Sequence, residues 1–241
     1  MSKWKNLILL ASLLILAEGM VSGQNEFRGS IVDEETGLPL VATVSLMNDR
    51  GDILIPDGQH EHIFYLDKKR WYVEGEFSVT STDDILYIEI RRGLETHPLV
   101  EKIDLTVEGN HSREFRLKRW INMAELGYLS GDSHIHFLKP KSAHLQMQAE
   151  DLQVANLLTS DFTNDVEIFT GGLDEVSSME HFVYVGQEIR DWQLGHANLL
   201  ELKYIVQPLD PFGGTFFAMG SNPNLLLSPR LEKAHEQGAA N

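Results

Sequence analysis

The chain has 241 residues, 42% hydrophobic and 23% charged, the proportions of a globular protein, and a formal charge of −16. Such acidity argues against nucleic acid as a partner, because phosphate contacts need clustered Lys and Arg, and against an anionic membrane surface. Cysteine is absent, which excludes disulfides, thiol nucleophiles and zinc–thiolate sites and leaves His and carboxylates as the strong metal ligands.

Lys3 and Lys5, the apolar run Leu7 to Ala17 and the small residues Val21-Ser22-Gly23 predict a signal peptide over residues 1–23. The apolar run is short of the about 20 residues that a membrane span needs. A secreted or periplasmic protein is therefore expected, with no stable membrane insertion after signal cleavage.

Residues 24–118 are all-β in pattern. Short alternating apolar runs occur at Phe27, Ser30-Ile31-Val32 and Val41 to Met47, with turn residues at Thr36-Gly37-Leu38-Pro39 and Asn48-Asp49-Arg50-Gly51. More β-rich runs follow at Ile63–Leu66, Trp71–Val79, Ile85–Ile90, Ile103–Val107 and Glu114–Leu117. Many short strands without a helix predict a β-sandwich. His60-Glu61-His62 follows Pro56-Asp57-Gly58 and is assigned to a loop without function.

A short turn within Lys118–Leu126 joins this part to residues 127–241, where the pattern changes. There a strand (Tyr128–Phe137), a helix entered at Ser142 as cap (Ala143–Asp151) and a buried strand (Val154–Thr159) are expected. A loop to Ser178, a strand (Phe182–Ile189) and a second strand (Leu199–Val206) opened by Gly195-His196 come next. Gln207 to Pro229 is a Pro/Gly-rich loop, and Arg230–Gln237 a helix capped by Gly238. Alternating strand and helix predict an α/β domain. From Gly127 to Asn241 the chain is far shorter than the about 250 residues of a full (β/α) barrel. The expected fold class is thus a β-sandwich followed by a partial α/β domain.

His134 and His136 stand at i and i+2 in an extended stretch, so both imidazoles aim at one point, with Asp132 expected on the same face. Glu188 lies near the C-terminal end of an apolar strand, where α/β enzymes place working carboxylates, or else is a structural partner of Arg190. His196, eight residues further on, precedes another apolar run. Four N/O ligands at the ends of successive strands, in a chain without thiolate, suit a divalent metal.

Gly131-Asp132-Ser133-His134-Ile135-His136-Phe137, Val185-Gly186-Gln187-Glu188-Ile189 and Leu194-Gly195-His196-Ala197-Asn198-Leu199-Leu200, in this order, resemble the PHP-type metallohydrolases, nearest to their CehA/McbA-like branch. That resemblance implies a distorted (β/α) barrel with metal at the strand C-termini, here in truncated form. His134 and His136 match the first His-x-His, Glu188 the bridging carboxylate and His196 the next metal histidine. It further implies Zn, Mn or Fe, and hydrolysis of an ester, amide or phosphoester in a small-molecule or polymer-derived substrate. The second motif, usually Thr-Asp-His, reads Thr159-Ser160-Asp161-Phe162, with Asp161 the only substitute; Ser-Asp-Gly after the first motif is replaced by Leu138-Lys139-Pro140. Later His-Pro and Asp-x-His motifs are expected beyond Gly238. Asp132 is a candidate acceptor for a ligating ring's second nitrogen. The segment from Phe27 to Val44 resembles a carboxypeptidase-regulatory-like domain, which implies an accessory sandwich. In an alternative reading the PHP-like domain is degenerate and the protein is a non-catalytic extracellular binding module. Trp71-Tyr72 and Phe212 to Phe217 would then line a glycan or peptide surface, core packing being their other role.

Overall fold

The computed structural model describes residues 24–58, 61–62, 69–160, 166–191, 195–207 and 227–240. The expected signal peptide, the Ile63–Leu66 run, Asp161 and Phe212 to Phe217 lie outside the described residues. The fold is β-rich, with two α-helices among the described residues.

Among the described residues, nine strands form the first unit: β1 (Asn25–Asp33), β2 (Val41–Asn48), β3 (Ile53–Leu54), β4 (Glu61–His62), β5 (Trp71–Glu74), β6 (Glu76–Ser81), β7 (Ile85–Arg91), β8 (Leu99–Asp104) and β9 (Ser112–Leu117). One sheet has the order β6-β1-β9; the other has the order β4-β5-β2-β7-β8, with β3 on β2. Period-2 alternation makes one side of the longer strands apolar. Phe27, Ile31, Phe77, Val79, Phe115 and Leu117 from the first sheet meet Ala42, Val44, Leu46, Val73, Leu86, Ile88, Ile90 and Ile103 from the second in one buried cluster. At its centre Phe27, Phe77 and Phe115 stand with ring centroids 6.1–6.3 Å apart. Gly29 makes room for them, since a Cβ there would collide with the Phe77 ring.

Three expectations for this unit are corrected. Trp71–Val79 is two strands in two sheets, because the chain breaks at Gly75, whose φ of 81° suits glycine. The Ile103–Val107 strand lies earlier, at Leu99–Asp104, since the Asp104 carboxylate accepts hydrogen bonds from Thr106 N (3.0 Å) and Thr106 Oγ1 (2.6 Å) and turns the chain. Glu61 and His62, assigned to a loop, pair with Tyr72 and Trp71 as a short antiparallel strand. Trp71 and Tyr72 are themselves buried, so they offer no binding surface.

The second unit comprises β10 (Gly131–Ile135), α1 (Pro140–Ala149), β11 (Val154–Thr159), β12 (Phe182–Asp191), β13 (Gly195–Leu199) and α2 (Leu227–His235). Its sheet has the order β10-β11-β12-β13, the first three parallel and the last antiparallel. Lys139, not Ser142, is the residue before α1, and Pro140 fills the first helical position, where its missing N–H costs nothing. The strand expected at Leu199–Val206 lies earlier: β13 pairs with Gln187–Asp191 and stops where Leu200 bridges to Ala240 and Glu201 takes a φ of 57°.

Period-2 alternation divides β12 between two faces. Val183, Val185, Gln187 and Ile189 are buried on the side that α1 and α2 cover. Gly186, Glu188 and Arg190 belong to the opposite side. Ala143 and Met147 seat α1 on β11 and β12, while its other side meets β2 and β5 of the first unit. Thr43, Ser45 and Tyr72, which point away from their own core, are buried there. Gly93 N donates to Ala149 O at 3.0 Å, and Asp151 takes Arg92 at 2.5 Å and Arg119 at 2.6 Å, tying the helix end to the first unit.

Candidate metal centre

The centre lies at the C-terminal ends of the parallel strands, where open α/β sheets place their ligands. Register across β12 and β13 sets Asn198 opposite Glu188 and His196 opposite Arg190, so these four residues share one face. Glu188 Oε1 lies 2.8 Å from His196 Nδ1 and 3.3 Å from His134 Nε2, while Glu188 Oε2 lies 2.9 Å from His136 Nε2 and 2.8 Å from Arg190 Nε.

The two histidines of β10 come together through a bulge. Asp132 and Ile135 oppose Ala155 and Leu157, which share the covered face, so two residues, Ser133 and His134, stand between them where strict alternation allows one. Asp132 therefore does not share a face with His134 and His136, as simple spacing predicts. Its Oδ1 instead accepts the backbone N–H of His134 at 2.9 Å, a local turn that fixes the bulge. Asn198 Nδ2 donates to Ser133 O at 3.1 Å, drawing the end of β10 over the face that holds Glu188. The His134 and His136 rings then meet edge to face, with Nε2 atoms 3.1 Å apart.

The acceptor that orients His136 is Leu158 O, 2.8 Å from Nδ1, rather than Asp132. A carbonyl can only accept, so Nδ1 carries a proton; Nε2, 2.9 Å from Glu188 Oε2, donates to that carboxylate when the ring is doubly protonated and offers a lone pair to a metal ion when it is not. That lone pair faces Glu188 Oε2 and the second imidazole. Electron pairs converging in this way repel unless a cation stands among them, and either a ring proton or a metal ion supplies one.

Glu188 has no side-chain surface exposed, against 12% for His136, 43% for His134 and 50% for His196. Burial pushes its carboxyl up, but hydrogen bonds from His136 and Arg190 and the Arg190 charge outweigh this and bring it down to about 2. Its Oε1 is buried with no hydrogen bond, because His134 and His196 approach it without hydrogen-bond geometry. An ionised carboxylate oxygen flanked by two imidazole nitrogens can take either a ring proton or a metal ion.

One ligand atom each from His134, His136 and Glu188 lies within 4.8 Å of the others, so this group can hold a metal ion. Two donors about 2.0–2.1 Å from a tetrahedral zinc stand about 3.3 Å apart, close to the separations found. Zn, Mn and Fe all accept a His/carboxylate set. His196 reaches Glu188 but stands outside that three-residue group. Of the sequence candidates, the three histidines His134, His136 and His196 converge on Glu188, the Glu188–Arg190 pair forms as well, and Asp161 lies outside the described residues. Sequence reasoning missed Asn198 and Leu158 O; a polar Asn between apolar strand residues was the one available signal. Comparison of the chain with protein-family models, with curated proteins and with solved structures gave no match.

Proposed function

We propose that the chain is an exported metal-dependent hydrolase of the PHP type, CehA/McbA-like, with His134, His136, Glu188 and His196 as ligands to Zn, Mn or Fe. In this reading the first unit is a carboxypeptidase-regulatory-like β-sandwich and the second the beginning of a distorted β/α barrel. The observation that carries it is Glu188 Oε1, buried without a hydrogen bond at the meeting point of two imidazoles.

A bound divalent ion supplies Lewis acidity and brings the pKa of water from 15.7 down to about 7. The chain's own part is preorganisation. Leu158 O fixes the His136 tautomer, Asn198 holds the bulged strand over the site, and the Glu188 carboxyl stays ionised down to a pH of about 2. His134 and His196, each about half exposed, leave the centre open to solvent and substrate on one side. The substrate class is a small or polymer-derived ester, amide or phosphoester in the periplasm or outside the cell, with neither nucleic acid nor membrane as partner.

Elemental analysis of protein purified without chelator tests this. At least one equivalent of Zn, Mn or Fe is expected, reduced in His134→Ala and His136→Ala. Well-folded protein that takes up none of the three metals, even when they are added, would end the proposal. Chromogenic ester, anilide and phosphodiester substrates then sort the bond type.

A further inference from the structure

Resting on the metal reading above, we infer that Arg190 occupies a second cation position of the centre, so that the chain binds one divalent ion there and not two.

Arg190 follows Glu188 by two residues in β12 and so lies on the same face. Its Nε donates to Glu188 Oε2 at 2.8 Å, and its Nη2 stands 3.5 Å from His136 Nε2. A guanidinium stays charged at any working pH. A carboxylate that bridges two cations gives each of them one oxygen. In Glu188, Oε2 already serves the guanidinium, and Oε1 alone is left without a hydrogen bond.

Charge balance points the same way. Glu188 is the only carboxylate, among the described residues, in the group that can hold a metal, and Arg190 already neutralises it. One divalent ion leaves that cluster at a formal charge of two, with neutral imidazoles. A second would double this beside a side chain with no exposed surface, where charge is poorly screened. The Arg190 side chain is 22% exposed, and the backbone that carries it is held in place: its carbonyl accepts a hydrogen bond from the buried Arg230 at 2.7 Å, and its strand is locked to β13 in register with His196. Displacing the guanidinium would mean breaking its bond to Glu188 without moving the strand.

The test is metal stoichiometry and affinity in the full chain, freed of metal and titrated with Zn²⁺ and with Mn²⁺. Calorimetry gives affinity, and elemental analysis after desalting gives number. One equivalent is expected for the wild type, lost in His134→Ala, which locates the ion. Arg190→Gln should bind a second equivalent or hold the first about tenfold more tightly, the scale on which a neighbouring like charge acts. Arg190→Lys keeps the charge and should retain one equivalent. Two equivalents in the wild type, both sensitive to His134→Ala, would overturn the inference and leave the metal reading standing. So would an Arg190→Gln protein unchanged in number and affinity. No binding by any of these proteins would remove the metal reading and this inference together. Circular dichroism checks folding, and if Arg190→Gln does not fold, the wild-type stoichiometry decides alone.

Discussion

The two units of this chain bury different things. In the two-sheet unit the interior is one apolar cluster, from Phe27 through Leu117 in sequence, and its buried polar residues, Thr43, Ser45, Asn48, Ser81 and Thr96, are uncharged. In the four-stranded unit the apolar interior is split into two small clusters, and Gln187, Glu188 and Arg230 are buried as deeply as any leucine. A single large cluster gives up no volume to function. Two small ones leave a face whose interior positions carry charge, and buried charge needs partners whose arrangement is specific.

Phe115→Ala in the two-sheet core should cost about 3–5 kcal/mol in urea denaturation, with metal content unchanged in the folded fraction. Glu188→Ala should cost about 3 kcal/mol, the low end for breaking a buried pair because Arg190 keeps some surface in water, and should abolish metal uptake. The two substitutions thus separate stability from ligation.

Acid should reveal Glu188 next. Its folded pKa, about 2, lies below the ordinary glutamate value of 4.5, so its contribution is fully present above pH 4.5 and is lost as pH falls toward 2. That contribution is about 3 kcal/mol. Urea midpoints of metal-free wild type and Glu188→Gln should converge as pH is lowered, and a constant gap would contradict the assigned environment.

Gln187→Leu removes two buried hydrogen bonds, its Nε2 to Val206 O at 3.0 Å and Val206 N to its Oε1 at 2.8 Å, and orphans both Val206 groups. A loss of about 2 kcal/mol is expected. Asn198→Ala should be the mildest, about 1 kcal/mol for one hydrogen bond, yet should weaken metal binding by releasing the end of β10. If thermal melting falls but metal affinity does not, Asn198 has no positioning role.

Sequence made the local features legible. β11 runs from Val154 to Thr159 as its apolar run predicts, because a buried parallel strand advertises itself by composition. His134, His136, Glu188 and His196 stood out because few residue types can ligate metal in a chain without cysteine. Illegible were the features set by distant pairing. The bulge that takes Asp132 off the histidine face appears only against the register of β11. Likewise the strand that Gly195-His196 opens reads as Leu199–Val206 until β12 lies beside Gly195–Leu199, and Trp71–Val79 looks like one strand because Gly75 alone marks the change of sheet.

Helix α1 has a consequence for measurement. With Ala143 and Met147 against one unit and Thr43, Ser45 and Tyr72 buried beneath it in the other, it has no side that either unit could release cheaply. Unfolding one unit strips that helix from the other, so the chain should melt in one transition rather than two. Free energy gained by a ligand at Glu188 is then shared by the whole cooperative block. A fluorescence melt of a variant that keeps Trp71 as its sole tryptophan, in the two-sheet unit, would register an ion bound in the other.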